Sequence, residues 1–200
     1  MFAIFFAMSL DRPDMTSIDG AGLRFAIVAA RFNQRLVDDL LDNILRVLDD
    51  AGVAPEDVET IRVPGSHEIP YVAGMLAKGG EFDSIICLGV VIAGETPHHD
   101  IIAHGTAAAL LRIGNDTEIP LINGIIVTNT LAQAQARCSG RINRGREFAQ
   151  AALEMADLKR RLVHRLDQLE ANRDAGQEHG QQNDFWSNYP EDDEGESWKL

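Results

Sequence analysis

Two rhythms of apolar and polar residues alternate along this chain. Leu23–Ala30, Glu59–Val63, Ile85–Ile92 and Ile119–Val127 are short runs rich in Ile and Val, the mark of strands buried in a sheet. Between Gln34 and Ala51 the rhythm changes. Leu36, Val37, Leu40, Leu41, Ile44, Val47 and Leu48 recur every three or four residues, with Asp38, Asp39, Asp42 and Asp49 between them. That spacing predicts an amphipathic helix, ended by Gly52. A second helix is predicted from about Glu68 to Lys78, with Pro70 in its first turn and Gly79-Gly80 at its end. A third runs from about His99 to Ile113, before Gly114-Asn115-Asp116. A fourth covers Leu131–Arg137, capped by Thr128-Asn129-Thr130, and the last extends from about Asn143 through Leu166. Gly124, inside the fourth strand, predicts a bulge or a place of close approach.

Strands alternating with helices of this length are βαβ units joined by right-handed crossovers. The predicted architecture is α/β, a doubly wound three-layer α/β/α sandwich on a four-stranded, mainly parallel sheet. The folded domain is expected over residues 18–169. Residues 1–17 begin with MFAIFFAM, which lacks a basic segment and a small-residue cleavage pattern, so it reads as a disordered leader or non-native start and not as a signal. Residues 170–200 are rich in Gly, Gln, Asn, Asp and Glu, and read as a disordered acidic tail. Phe185, Trp186, Tyr189 and Trp198 are scattered there without a period. They could dock on the body or on a partner, the plainer alternative being a solvated tail.

Charge narrows the partners. The net charge is −13, of which residues 170–200 contribute −7, so the body is mildly acidic and unsuited to a nucleic-acid partner. The two cysteines, Cys87 in an apolar strand and Cys138 far from it, make no disulfide framework or thiolate metal site and suit a reducing cytoplasm. No stretch approaches the ~20 apolar residues of a membrane span.

Ligands of such sheets bind beyond the carboxyl ends of the strands. Gly94-Glu95-Thr96 falls there, between the third strand and its helix, where backbone amides, a hydroxyl and the helix dipole can cradle an anion; an ordinary βα loop is the alternative. His98 follows, placed to move protons near neutral pH. His98, His99 and His104 together also invite a metal reading, against which adjacent histidines diverge on a helix and no HExxH spacing occurs. Phe32 either offers a face to a flat heterocycle or folds back into the core. Pro64-Gly65-Ser66-His67-Glu68 offers amides, a hydroxyl and a carboxylate to a polyhydroxyl or ureide group, or is simply a turn and helix start. Arg137, Arg141, Arg144 and Arg146 cluster in an acidic chain, suited to a phosphate or to an acidic neighbour.

In this order and spacing, ARFNQ around Phe32, VPGSHEIP from Val63 to Pro70, LGVVIAGETPHHD from Leu88 to Asp100, IPLINGIIVTNT from Ile119 to Thr130, QARCSGRINRG ending at Gly145, and AALEMADL resemble the 6,7-dimethyl-8-ribityllumazine synthase family. The resemblance covers roughly Gly22 to Leu158. It implies a flavodoxin-like fold and a transferase of riboflavin biosynthesis. The reaction would condense 5-amino-6-(D-ribitylamino)uracil with 3,4-dihydroxy-2-butanone 4-phosphate, releasing phosphate and water without a cofactor or metal. By the same resemblance Phe32 stacks on the pyrimidine, and Ser66, His67 and Glu68 hold the ribityl chain. Gly94, Glu95 and Thr96 bind the phosphate, with Val91, Ile92 and Asn123 also lining the site. His98 is the acid/base, and Arg137 and Arg141 reach the phosphate from a neighbouring subunit. Self-association to a pentamer or a shell of pentamers is implied, as is association with riboflavin synthase. The chain departs from the family at His67 and Asn123, where aromatics are common, and at Arg141, where lysine is usual. These departures motivate a second hypothesis, a non-catalytic lumazine- or flavin-binding or cage-forming paralogue; a metal-dependent hydrolase using the three histidines is a third.

Overall fold

A computed structural model describes residues 17–140 and 142–180, those of 174–180 by their backbone. The chain divides into two units at Arg160 and Arg161. The first is built on strands β1 (Phe25–Ala30), β2 (Val58–Val63), β3 (Ser84–Ile92) and β4 (Leu121–Thr128). All pairings are parallel and the order is β2-β1-β3-β4, the doubly wound arrangement expected.

The apolar runs became strands in proportion to their burial. Every residue of β1 is buried, and β3 is buried from Ser84 to Val90, because both are covered on two faces. The edge strands β2 and β4 are only partly buried. Helices α1 (Gln34–Asp50), α4 (Leu131–Cys138) and the start of α5 (Arg144–Gly180) pack on one face, around Phe25, Ile27, Ile86 and Leu88. On the other, α2 (Ile69–Gly79) and α3 (His98–Thr117) cover Ala26, Val28, Ile85 and Cys87. The first unit is therefore a three-layer α/β/α sandwich.

Local chemistry sets the element ends. Helix α1 buries Leu36, Val37, Leu40, Leu41, Ile44 and Leu48, and the chain leaves it through Gly52 at φ 86°. Gly80, at φ 68°, ends α2. The Thr130 hydroxyl caps α4 by accepting from the Gln133 amide at 3.2 Å.

Four expectations are corrected. β1 begins at Phe25 and not Leu23, since Arg24 turns its amide to the Asp83 carboxylate. Helix α3 does not stop at Gly114; it continues to Thr117 and ends at Glu118, φ 58°. Gly114 lies where the helix passes the Ile119 carbonyl, which a Cβ would approach to 3.3 Å, and a glycine inside a helix costs only about 1 kcal/mol. Gly124 makes no bulge, because the β3–β4 register is unbroken from Ile85↔Leu121 to Ile92↔Thr128. It is a close approach, where a Cβ would lie 2.7 Å from Leu88 Cδ2 and 2.9 Å from the Cys87 carbonyl. Finally, α5 passes Leu166 and runs on to Gly180, with no proline to interrupt it. The N-terminal leader before residue 17, Arg141, and the aromatic tail beyond residue 180 lie outside the described residues.

Candidate functional site

Three of the candidate loops meet at the carboxyl edge of the sheet because β2, β1 and β3 are neighbours there. The β1 loop extends the ladder: the Arg31 amide donates to the Val63 carbonyl at 2.8 Å and the Phe32 amide to the Pro64 carbonyl at 3.2 Å. Asn33 then adopts φ 54°, and its side-chain Nδ2 donates to the Val90 carbonyl at 2.8 Å. Phe32 is 72% exposed, so the alternative in which it folds into the core is overturned. Its ring stands beside Gly65, where a Cβ would come within 3.2 Å of Phe32 Cδ2 and 3.0 Å of Glu68 Oε2. An aromatic face and a carboxylate thus flank one glycine.

The β2 loop is anchored at Ser66. Its side chain is buried against β3, where a Cβ on Gly89 would overlap Ser66 Oγ. Its carbonyl accepts from Thr106 Oγ1 of α3 at 3.5 Å. His67 and Glu68 remain exposed.

At the end of β3, Val91 and Ile92 are half-buried and paired with Val127 and Thr128, and the Ala93 amide donates to the Thr128 carbonyl at 2.8 Å. Gly94, Glu95 and Thr96 are exposed, and among the described residues no hydrogen bond engages their backbone amides. His98 opens α3 directly after them and is exposed. Free amides at a helix N-terminus suit an anion, and the imidazole beside them suits proton transfer.

The three histidines do not converge. His99 Nδ1 pairs with the Thr96 carbonyl at 3.2 Å and its Nε2 lies 3.4 Å from Asp100, while His104 Nδ1 pairs with the Asp100 carbonyl at 2.8 Å. Among the described residues, no group of three or more His, Cys, Asp or Glu side chains is arranged to hold a metal ion. None of their helices is long and apolar enough to cross a membrane.

Two predicted residues stand apart from this edge within one chain. Arg137 lies in the last turn of α4, on the face opposite α3, and its Nη1 donates to the Gln133 carbonyl at 3.1 Å. Asn123 is opposite Cys87 near the start of the edge strand β4, exposed, and its Oδ1 accepts from the Ile125 amide at 3.2 Å. From there to Thr128 is five residues, about 16 Å of strand. Arg144 is occupied by Glu147 at 2.9 Å and lies over the Phe148 ring.

An open groove of about 720 Å³ separates the start of α1 from α4, lined by Asn33, Arg35, Asp39, Leu131, Gln135 and Ser139 among others. The Ser139 hydroxyl donates to Asp39 across it. Both cysteines are buried and free. Burial pushes the Cys87 thiol up; burial and the Asp39 carboxylate push Cys138 up to about 11, with Arg137 pulling the other way. Neither thiol has nucleophilic character near neutral pH.

Sequence reasoning missed Asn33 and Gly89 as positioning residues. The signal for Gly89 was a lone glycine in an otherwise apolar strand, which marks a close approach.

Residues 22–160 match the sequence model of the family described as 6,7-dimethyl-8-ribityllumazine synthase. A protein of that name from Salinibacter ruber is 44% identical over 142 residues, covering 70% of this chain and 91% of the relative. One from Ralstonia pickettii is 40% identical over 169 residues, 84% of this chain and 93% of the relative. A third, from Thermococcus gammatolerans, is 42% identical over 143 residues, 72% and 92% of the respective chains.

Proposed function

The chain belongs to the 6,7-dimethyl-8-ribityllumazine synthase family, the transferases of riboflavin biosynthesis, and on that premise we propose how its own residues divide the reaction. The substrates are 5-amino-6-(D-ribitylamino)uracil and 3,4-dihydroxy-2-butanone 4-phosphate. The observation that carries the reading is the exposed Gly94-Glu95-Thr96 loop, whose amides have no partner among the described residues, running through Pro97 into His98 at the start of α3.

In this reading the loop amides and the Thr96 hydroxyl hold the phosphate, and His98 moves the protons of imine formation and phosphate elimination. The pyrimidine stacks on exposed Phe32, with Val91 and Ile92 beneath it; Asn123, which stands apart from this edge within one chain, lines the pocket from an adjacent subunit. Ser66, His67 and Glu68 bind the ribityl hydroxyls, the Glu68 carboxylate accepting from them. Holding an amine and a ketone together supplies several kcal/mol of the barrier by itself.

Arg137 and Arg141 serve the phosphate of an adjacent subunit. Support comes from the placement of Arg137 and His98 on helices that pack on opposite faces of the sheet. The functional unit is then a self-assembled ring, a pentamer or a shell of pentamers. Two buried free thiols fit the reducing cytoplasm.

Mixing the two substrates tests the reading. Phosphate release and lumazine absorbance should rise together with wild type, more slowly with His98→Ala, and hardly at all with Arg137→Ala. Affinity for the ribitylaminouracil without either product would instead identify a binding or cage-forming paralogue, the reading that His67 and Asn123 favour.

A further inference from the structure

The family match ends at residue 160, yet α5 continues to Gly180. In the second unit, Leu162, Leu166 and Leu169 are spaced four and three residues apart, which places them on one helix face with Val163 at its margin. They are 48%, 59%, 51% and 47% exposed in that order. In heptad terms Leu162 and Leu169 occupy d and Leu166 occupies a, while Arg165 flanks the seam at g and Glu170 at e.

We propose that this face docks on the same face of a second copy of the chain, with the two helices parallel and in register. The flanking charges choose both the partner and its direction. In a parallel pair, a g residue meets the e residue five positions further along the other helix, so Arg165 faces Glu170 of the partner subunit. In an antiparallel pair g meets g and e meets e, which sets Arg165 against Arg165 and Glu170 against Glu170. A contact of one face with itself has two-fold symmetry, so it pairs each copy with one other, which a shell of pentamers provides between rings and a single five-membered ring does not. Arg173, at the next a position, ends the seam.

The contact is small. Three leucines and a valine fall well short of the roughly 1,200 Å² of a stable free-standing interface. It therefore acts between copies already held as neighbours, where effective concentrations reach the millimolar range. In this respect it rests on the self-association proposed above.

Cysteine cross-linking of the full chain tests it. Leu162→Cys and Leu169→Cys are made separately, with Gln168→Cys outside the seam as reference; the native thiols are buried and do not compete. Under mild oxidation, each seam variant alone should form covalent dimers about tenfold faster than Gln168→Cys, since only facing positions bring two thiols within bonding reach. Equal rates for all three would overturn the proposal. Cross-linking that appears only when the Leu162→Cys and Leu169→Cys chains are mixed would also overturn it, in favour of antiparallel pairing. Sedimentation of the unoxidised chain separates the two levels: an assembly that fails to cross-link sinks the helix contact, and a monomer sinks the self-association beneath it.

Discussion

Asn33 and Val90, 57 residues apart, are joined directly: the Asn33 side-chain amide donates to the Val90 carbonyl at 2.8 Å. The bond ties the loop that presents Phe32 to the end of β3, just before Val91 and Ile92. Asn33 also holds φ 54°, a conformation that asparagine tolerates and alanine resists. Asn33→Ala should lose about 2 kcal/mol in urea unfolding, roughly half from the hydrogen bond and half from the backbone. Asn33→Gly keeps the backbone at ease and should lose about half as much. Equal losses for the two would show that the hydrogen bond alone matters.

Gly89 and Ser66 make a second such pair. A methyl group at position 89 overlaps Ser66 Oγ, so Gly89→Ala should cost about 1–3 kcal/mol and weaken binding of the ribitylaminouracil. Adding Ser66→Ala removes the clashing oxygen and should recover most of the stability but not the binding. Calorimetry read beside the KM for that substrate would distinguish the two effects. A double variant as unstable as Gly89→Ala would mean that the carbon atoms around the added methyl, Ser66 Cβ at 3.2 Å and Ile125 Cγ1 at 3.5 Å, and not the Ser66 hydroxyl, limit the space.

If Arg137 works on a neighbour's phosphate, impaired chains should complement each other. Dissociating and reassembling Arg137→Ala with His98→Ala in equal amounts gives, at random, about a quarter of sites with both native residues. Activity should rise above that of either variant assembled alone. No rise, in mixtures shown by mass to contain both chains, would place Arg137 within its own subunit's chemistry or outside it.

The thiols make stability depend on alkaline pH. Cys138 is raised from 9.0 to about 11 in the folded chain and Cys87 is raised too, so the folded state holds these protons more tightly than the unfolded one. Their stabilising contribution is complete below pH 9 and falls as pH climbs toward the folded values, by on the order of 1 kcal/mol per pH unit for each thiol. Unfolding free energy, from denaturation curves taken between pH 8 and 10.5, should therefore fall more steeply with pH in wild type than in a Cys87→Ala, Cys138→Ala double variant. Parallel profiles would rule the thiols out.

Much of the fold was legible because burial on two faces writes itself as dense apolar runs: β1 and β3 were visible for that reason, and with helices between them the parallel order followed. The end of α3 was not, since Gly114-Asn115-Asp116 resembles a stop and only its packing beside the Ile119 carbonyl explains a glycine inside the helix. The length of α5 was missed because its apolar rhythm fades after Leu169 while residues of good helix propensity continue. At the site, the residue types in each loop could be read directly. The contact of Ser66 with Gly89 could not, because it joins elements that only the folded chain brings together. The same holds for the placement of Phe32, for which one sequence supports both a core and a surface position.

The strand order has a consequence for synthesis. β1 lies between β2 and β3, and its residue Phe25 pairs with Ser84. One flank of the most apolar strand in the chain therefore stays open while the intervening residues leave the ribosome. Helix α1 follows within a few residues and can cover one face early, but the unpaired edge waits for β3. Slowing translation between these strands, or weakening α1, should lower the yield of native chain through aggregation more than through loss of final stability.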